Sequence, residues 1–412
     1  MEYLCISEMP PDPAFGLIAQ YEADASPNKV SLIQGAYRDE NGRPWILPCV
    51  KAAEQRLHLQ ANHEYLPITG SPALLDKAKD LVFGSEIMAS ATTITAIQTV
   101  SGTGANHLAA AFLATHLHPQ HVFLPDPTWI NHRAVWATAA PQVVQKAYPY
   151  YSATTRALDI AGMLSTLESC AVPNDVLVLQ ACAHNPTGLD LTRSQWSLVA
   201  AVVKRKRLFV VFDNAYQGFA TGNPDADAWA IRHFVKEVIE KGEESDNHQP
   251  GMFVAQSFSK NFGLYGERVG VLHLVVPQHL SVRSAGSQLA ALSRAEYSTP
   301  PRFGASIVEA VLGDEELRGQ WVRDLETMSS RLKRMRFLLR SSLEKRGTPG
   351  DWAQVEEQIG MFSYTGLRRE QVGQLRDEYH VYLMPSGRAS ICGLTEENVD
   401  YVADAIHQVL SG

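Results

Sequence analysis

Lys260 stands in the string Ser257-Phe258-Ser259-Lys260-Asn261-Phe262-Gly263, just after the short apolar run Phe253–Ala255. A lysine in such surroundings is more than a solvated charge, because an amine whose pKa is lowered by its environment forms Schiff bases with carbonyl compounds. Asp213 closes another apolar run, Leu208–Phe212. A carboxylate there is costly unless something pairs with it. A protonated ring nitrogen would suit it, and so would the role of helix N-cap. Arg268, eight residues beyond Lys260, has the shape to hold a phosphate bidentately. Ser101-Gly102-Thr103-Gly104 precedes a helical pattern over Ala105–Thr115. Such a turn either offers free N–H groups and a helix dipole to a phosphate or is an ordinary turn. Trp129 follows Pro125-Asp126-Pro127-Thr128 and either stacks on a planar ligand or fills the core. Asn185 precedes Pro186 and so sits in a turn. Its amide is free for a ligand oxygen or closes an Asx turn on itself.

The elements that must position these residues are short. Val122–Leu124, Val176–Leu179, Leu208–Phe212 and Phe253–Ala255 are apolar on both faces, which marks strands of a parallel sheet buried between helices. In an α/β sheet of this kind, ligands bind outside the carboxyl ends of the strands, and most of the residues above follow such runs. Together they supply a phosphate cradle, a stacking ring, an oxygen donor, a nitrogen-pairing acid and a lysine, the parts that a pyridoxal phosphate (PLP) site needs. Other common motifs fail. Gly102-Thr103-Gly104 is followed by His107, which breaks GxGxxG; His63-Glu64 meets Pro67, which breaks HExxH; no GxxxxGK[ST] occurs. Glu316–Arg346 carries Leu317, Trp321, Leu325, Met328, Leu332, Met335 and Leu339 at steps of four and three. This predicts a long helix, running between two domains or through one core. A second small α/β region follows from about Trp352. Residues 1–14 read as an arm, and Lys241–Gly251 as a polar loop.

Composition bounds the rest. The 412 residues are 45% hydrophobic and 19% charged with net charge −8, an ordinary globular profile with no call for nucleic acid. Cysteines 5, 49, 170, 182 and 392 have no ligand or CxxC spacing and are expected to be buried small apolar residues, without metal. No apolar stretch reaches membrane-spanning length, and the acidic N-terminus matches neither a secretory nor a mitochondrial leader. A cytoplasmic chain is the expectation.

The chain resembles the class I PLP-dependent aminotransferases, specifically the aspartate aminotransferase family. The resemblance rests on NHEYLP at 62–67, SGTG at 101–104, PTW at 127–129 with Asn131-His132, and HNPTG at 184–188. It continues with FDNAYQGFA at 212–220, SFSKNFGLYGERVG at 257–270, GMFSYTGL at 360–367, SGR at 386–388 and CGL at 392–394. It implies fold type I: a large PLP-binding domain over 43–315 and a small α/β domain from 15–42 and 316–412. It also implies a homodimer with shared active sites. It makes Lys260 the Schiff-base lysine and proton shuttle and pairs Asp213 with the ring nitrogen. Tyr216 and Asn185 would bond the ring hydroxyl oxygen, and Trp129 would stack on the ring. Ser101, Gly102, Thr103, Ser257, Ser259 and Arg268 would hold the phosphate, with Tyr65 of the partner subunit. Arg388 would read the substrate α-carboxylate, beside Gly35, Trp129 and Asn185, and Arg294 a side-chain carboxylate from across the dimer.

The implied reaction moves the amino group between L-aspartate or L-glutamate and 2-oxo acids through pyridoxamine phosphate. The alternatives are a specialised biosynthetic enzyme on the same scaffold (β-decarboxylation, β/γ-elimination or carbon–carbon bond formation) and a non-catalytic binding protein. The sequence departs from the family at Gln180, where histidine is usual, at Ile130, at Gly266 and over Ala295-Glu296-Tyr297. Glu296 either pairs with Arg294 or points into solvent.

Overall fold

The computed structural model describes residues 8, 10–58, 62–90, 93–240, 251–276 and 280–412. Its centre is a seven-stranded sheet of β1 (Ile94–Val100), β2 (His121–Asp126), β3 (Val144–Pro149), β4 (Val176–Gln180), β5 (Phe209–Asn214), β6 (Met252–Ser257) and β7 (Val269–Val275). The spatial order is β1-β7-β6-β5-β4-β2-β3. β7 is antiparallel to both neighbours and the other pairings are parallel. The sheet is buried on both faces by alternation. Phe123, Leu177, Leu179, Val210 and Phe212 face one helical layer. Val122, Leu124, Val176, Val178 and Val211 face the other, as the period of two requires.

The topology collects the chemistry at one edge. The residues after β1, β2, β4, β5 and β6 all emerge at the carboxyl ends of parallel strands. β7 runs the opposite way, so Arg268, just before its start, arrives at the same edge.

The long helix spans Glu315–Lys345, and Leu317, Trp321, Leu325, Met328, Leu332, Met335 and Leu339 are all buried. Trp321 stacks on Phe262 at 5.0 Å, near the start of the helix. Further along, buried Arg336 donates to the carbonyls of Val355 (3.0 Å), Gly360 (3.0 Å) and Phe362 (2.6 Å). The helix therefore grips both the sheet edge and the C-terminal region. That region holds two small sheets: Val30–Ser31 parallel to Val381–Tyr382, and Phe362–Tyr364 antiparallel to Arg388–Ser390.

Several expectations need correction. Pro13–Ala14 open a helix, Pro13–Ala23, capped by Asp12, so the last two residues of the expected arm are helical; residues 1–7 and 9 lie outside the described residues, as do 241–250. The helix predicted over 105–115 spans Ser101–His116, so SGTG is its first turn rather than a preceding one. Cys49, Cys182 and Cys392 are buried as expected, but Cys170 is exposed, because it ends a surface helix, Ile160–Cys170; Cys5 is outside the described residues. No group that could hold a metal occurs among the described residues, and no helix is long and apolar enough to cross a membrane.

Candidate active site

One cavity at the carboxyl edge of the sheet is lined by Ser101, Gly102, Thr103, Trp129, Asn185 and Asp213. Tyr216, Ser257, Ser259, Lys260 and Arg268 also line it. Eleven sequence-selected residues, from the carboxyl ends of five strands and the start of β7, thus share one space.

Its phosphate end is built from hydroxyls and an open helix terminus. The helix Ser101–His116 has no side-chain N-cap, which leaves the first-turn N–H groups after that of Ser101 open to an anion. Ser101 Oγ lies 3.1 Å from Ser257 Oγ and 2.8 Å from Ser259 Oγ. Arg268 Nη1 reaches Ser259 Oγ at 3.5 Å and donates to Tyr265 O at 3.0 Å. Ser101 (φ 60°) and Arg268 (φ 54°) both take left-handed backbone, and the Ser101 N–H donates to the Arg268 carbonyl at 3.1 Å. Strain of this kind in non-glycine residues persists where a site demands it. At Gly102 an added Cβ would stand 3.0 Å from Ser257 Cβ; the glycine keeps the cradle open.

The ring end is built around Asp213. It is buried at the end of β5, and its Oδ2 pairs with His132 Nε2 at 2.9 Å. His132 Nδ1 is in turn held by Thr128 Oγ1 at 2.8 Å. The N-cap alternative for Asp213 is therefore not what the fold uses. Trp129 is only half-buried and lines the cavity, which removes the core-residue alternative. It meets His132 edge-on at 5.2 Å. Asn185 makes no side-chain hydrogen bond among the described residues, so its amide is available to the cavity rather than closed in an Asx turn.

Electrostatics shift the lysine toward its neutral form. Burial lowers the Lys260 pKa, Arg268 adds to the lowering and Asp213 opposes it. Lys260 Nζ lies over the Tyr216 ring at 5.6 Å. Burial foremost, and Asp213 next, raise the Tyr216 phenol well above its usual range, so it is a hydrogen-bond donor at neutral pH.

Arg388 and Gly35 are outside the cavity lining but adjoin it, since Arg388 interacts electrostatically with Tyr216. The Arg388 guanidinium lies over the Phe362 ring at 4.3 Å and donates to Ile33 O at 2.8 Å. Gly35 packs against that same ring. Tyr65, 86% exposed, and the exposed Arg294 do not line the cavity of their own chain. Arg294 bonds the Ser298 hydroxyl. Glu296 takes neither expected course, because its carboxylate pairs with His107 Nε2 at 3.3 Å. Residues i and i+2 of a helix do not face each other.

Three further residues belong to the site. His132 is present in the family string, yet its pairing with Asp213 depends on a helix folding back over the sheet. Asn106 lines the cavity and bonds Gly102 O at 2.9 Å; its position one turn after Gly102 was the only available signal. Gln180 lines the cavity too.

The donor set fits PLP: free N–H groups and hydroxyls for a phosphate, a buried carboxylate for a ring nitrogen, and a lysine with a lowered pKa. The sequence profile described as Aminotransferase class I and II matches residues 27–406. An L-tyrosine:2-oxoglutarate aminotransferase of Aspergillus ustus is 46% identical over 96% of this chain and 76% of its own. The aspartate aminotransferase of Saccharomyces cerevisiae cytoplasm has a solved structure with TM-score 0.93 and 43% identity, covering 99% of this chain and 98% of that one. An aromatic-amino-acid aminotransferase of Burkholderia pseudomallei, solved covalently bound to pyridoxal phosphate, gives TM-score 0.93 and 38% identity over 100% of both chains. With its fold type I architecture and this cavity, the chain belongs to the class I and II aminotransferases and is a PLP-dependent enzyme of that family.

Proposed function

We propose that this enzyme moves the amino group between L-aspartate or L-glutamate and 2-oxo acids. The observation that carries the reading is the state of Arg294. Among the described residues its guanidinium engages the Ser298 hydroxyl, while Glu296, two residues on, is paired with His107. A cation kept clear of an acid remains available for a substrate side-chain carboxylate, and Arg388 offers a second fork for the α-carboxylate. Tyr65 and Arg294 stand exposed, away from their own cavity. A homodimer in which each chain lends these residues to its partner's site accounts for that. A cytoplasmic setting is supported by the Saccharomyces cerevisiae relative.

When bound, PLP supplies the electron sink that lets an amino acid's α-proton leave. Lys260 would carry the cofactor and, once displaced by substrate, take and return that proton as a free base. Asp213, braced by His132, would keep the ring nitrogen protonated. Tyr216 and Asn185 would donate to the ring oxygen, and Ser101, Ser257, Ser259 and Arg268 would hold the phosphate.

Removing one side of a charge pair that substrate would otherwise complete costs tens- to thousands-fold. Arg294→Ala is therefore expected to lower kcat/KM for aspartate by about 100-fold and for tyrosine by less than about 3-fold. Equal losses on both substrates would defeat the assignment. A second reading, an aromatic donor with 2-oxoglutarate, is favoured by the Aspergillus ustus relative and by Ile130, 63% exposed next to Trp129. Under it, tyrosine outperforms aspartate in the unaltered enzyme.

A further inference from the structure

Gln180 is the last residue of β4 and lies in register with Asp213 on β5. The Ala181 N–H donates to the Asp213 carbonyl at 2.9 Å, so the two strand ends move as one piece. The Gln180 side chain is buried (8% exposed) and turns toward the loop that follows. Its Oε1 accepts from the Asn185 N–H at 2.8 Å, and its Nε2 donates to the Asn185 carbonyl at 2.9 Å. One carboxamide thus holds both backbone polar groups of a single residue. The two preceding N–H groups, of Ala183 (2.7 Å) and His184 (3.0 Å), are held by the half-buried Asp190 carboxylate. Three consecutive backbone N–H groups are tied to the side chains of Asp190 and Gln180, and Asn185 is left with its amide to offer the cavity.

We propose that Gln180 is a positioning residue that sets the Asn185 amide against the cofactor's ring oxygen. The inference rests on the role given to Asn185 above. Clamping N–H and C=O together fixes the Asn185 backbone torsions, and these fix the direction in which its side chain leaves the chain. An imidazole cannot do the same, because its two ring nitrogens point away from each other. The glutamine at this position therefore does something the family's usual histidine does not. A hydrogen bond to an ionised oxygen is worth more than one to a neutral group, so a small misdirection of this amide changes the proton equilibrium of the bound cofactor.

The test is a double-variant cycle read by spectroscopy on the PLP-loaded enzyme without substrate. The quantity is the pH midpoint of the cofactor's visible absorbance. The Asn185 N–H competes with the neighbouring imine proton for the ring oxygen, so losing it strengthens proton retention and raises the midpoint. Asn185→Ala is expected to raise it by about one pH unit. Gln180→Leu is expected to raise it by at least about half as much, and to add nothing in the Asn185→Ala background. Gln180→His, which carries the residue common in the family and keeps one bond at most, should give a smaller rise that also vanishes in that background. If Asn185→Ala moves the midpoint while neither Gln180 variant does, or if the effects add, the positioning role is overturned and the role of Asn185 stands. A silent Asn185→Ala overturns both.

Discussion

Gly35→Ala is a one-carbon change whose effect can be worked from the structure. A Cβ at position 35 would sit 2.7 Å from Phe362 Cζ, where carbon atoms rest at about 3.5–4.0 Å. The ring must therefore give by about 1 Å. It has little room, since Phe362 is buried and Arg336 holds its carbonyl at 2.6 Å. One face of the ring carries Arg388 at 4.3 Å, itself tied to Ile33 O at 2.8 Å, while Gly35 meets the ring's edge. Moving the ring thus moves the guanidinium assigned to the α-carboxylate, and a 1 Å misplacement of such a group costs about 100-fold. Every amino acid carries an α-carboxylate, so kcat/KM should fall by a similar factor for aspartate and tyrosine. PLP absorbance should be unchanged, and the overpacking should cost about 1–3 kcal/mol of stability. Steady-state kinetics on both substrates with a thermal melt decides the matter. A Gly35→Ala enzyme within about 3-fold of wild type on both substrates would refute the coupling of Gly35 to Arg388 through Phe362.

Other substitutions probe separate links. Lys260→Ala should reduce turnover by at least about 10⁴-fold while PLP remains bound non-covalently, with partial rescue by added small amines; a variant with substantial turnover would remove Lys260 from the chemistry. His132→Leu strips Asp213 of its charge-assisted bond and should lower kcat by about 10–100-fold with little change in KM, which single-turnover rates will check. His273, buried in β7 and bonded to Gln256 at 2.8 Å, is held down to about 3 by burial, with Lys79 contributing. The unfolded chain binds a proton that the folded chain refuses, so stability is full above about pH 6.5 and declines as pH falls from there toward 3. The paired change His273→Leu, Gln256→Leu should flatten that acid limb by on the order of a few kcal/mol in urea titrations at successive pH values.

Much of the site was legible because it follows strands that announce themselves. Val176–Gln180 and Phe209–Asn214 are buried at every position, so apolar runs marked them and the residues after them. Three strands of the sheet gave no such signal. Ile94–Val100 carries Thr95, Gln98 and Thr99, and Val269–Val275 contains Gly270 and His273, polar or small residues that break the apolar run. Val144–Pro149 lies at the sheet edge with Val144 exposed. The reversal of β7, which delivers Arg268, cannot be read from local sequence. Nor can contacts between distant segments: the His132–Asp213 pair, the Gln180 clamp, the seat of Arg388 on Phe362 and the capture of Glu296 by His107. Each depends on packing rather than periodicity. The SGTG string was expected to precede its helix but forms the first turn, because glycines that break an isolated helix are tolerated at a helix N-terminus.

The most direct measurement is a single half-reaction. The enzyme, loaded with PLP and given L-aspartate with no acceptor, should release one oxaloacetate per chain as its bound cofactor is converted to the aminated form. Retention of the original cofactor spectrum with aspartate, alongside conversion by L-tyrosine, would contradict the dicarboxylate assignment and with it the role proposed for Arg294.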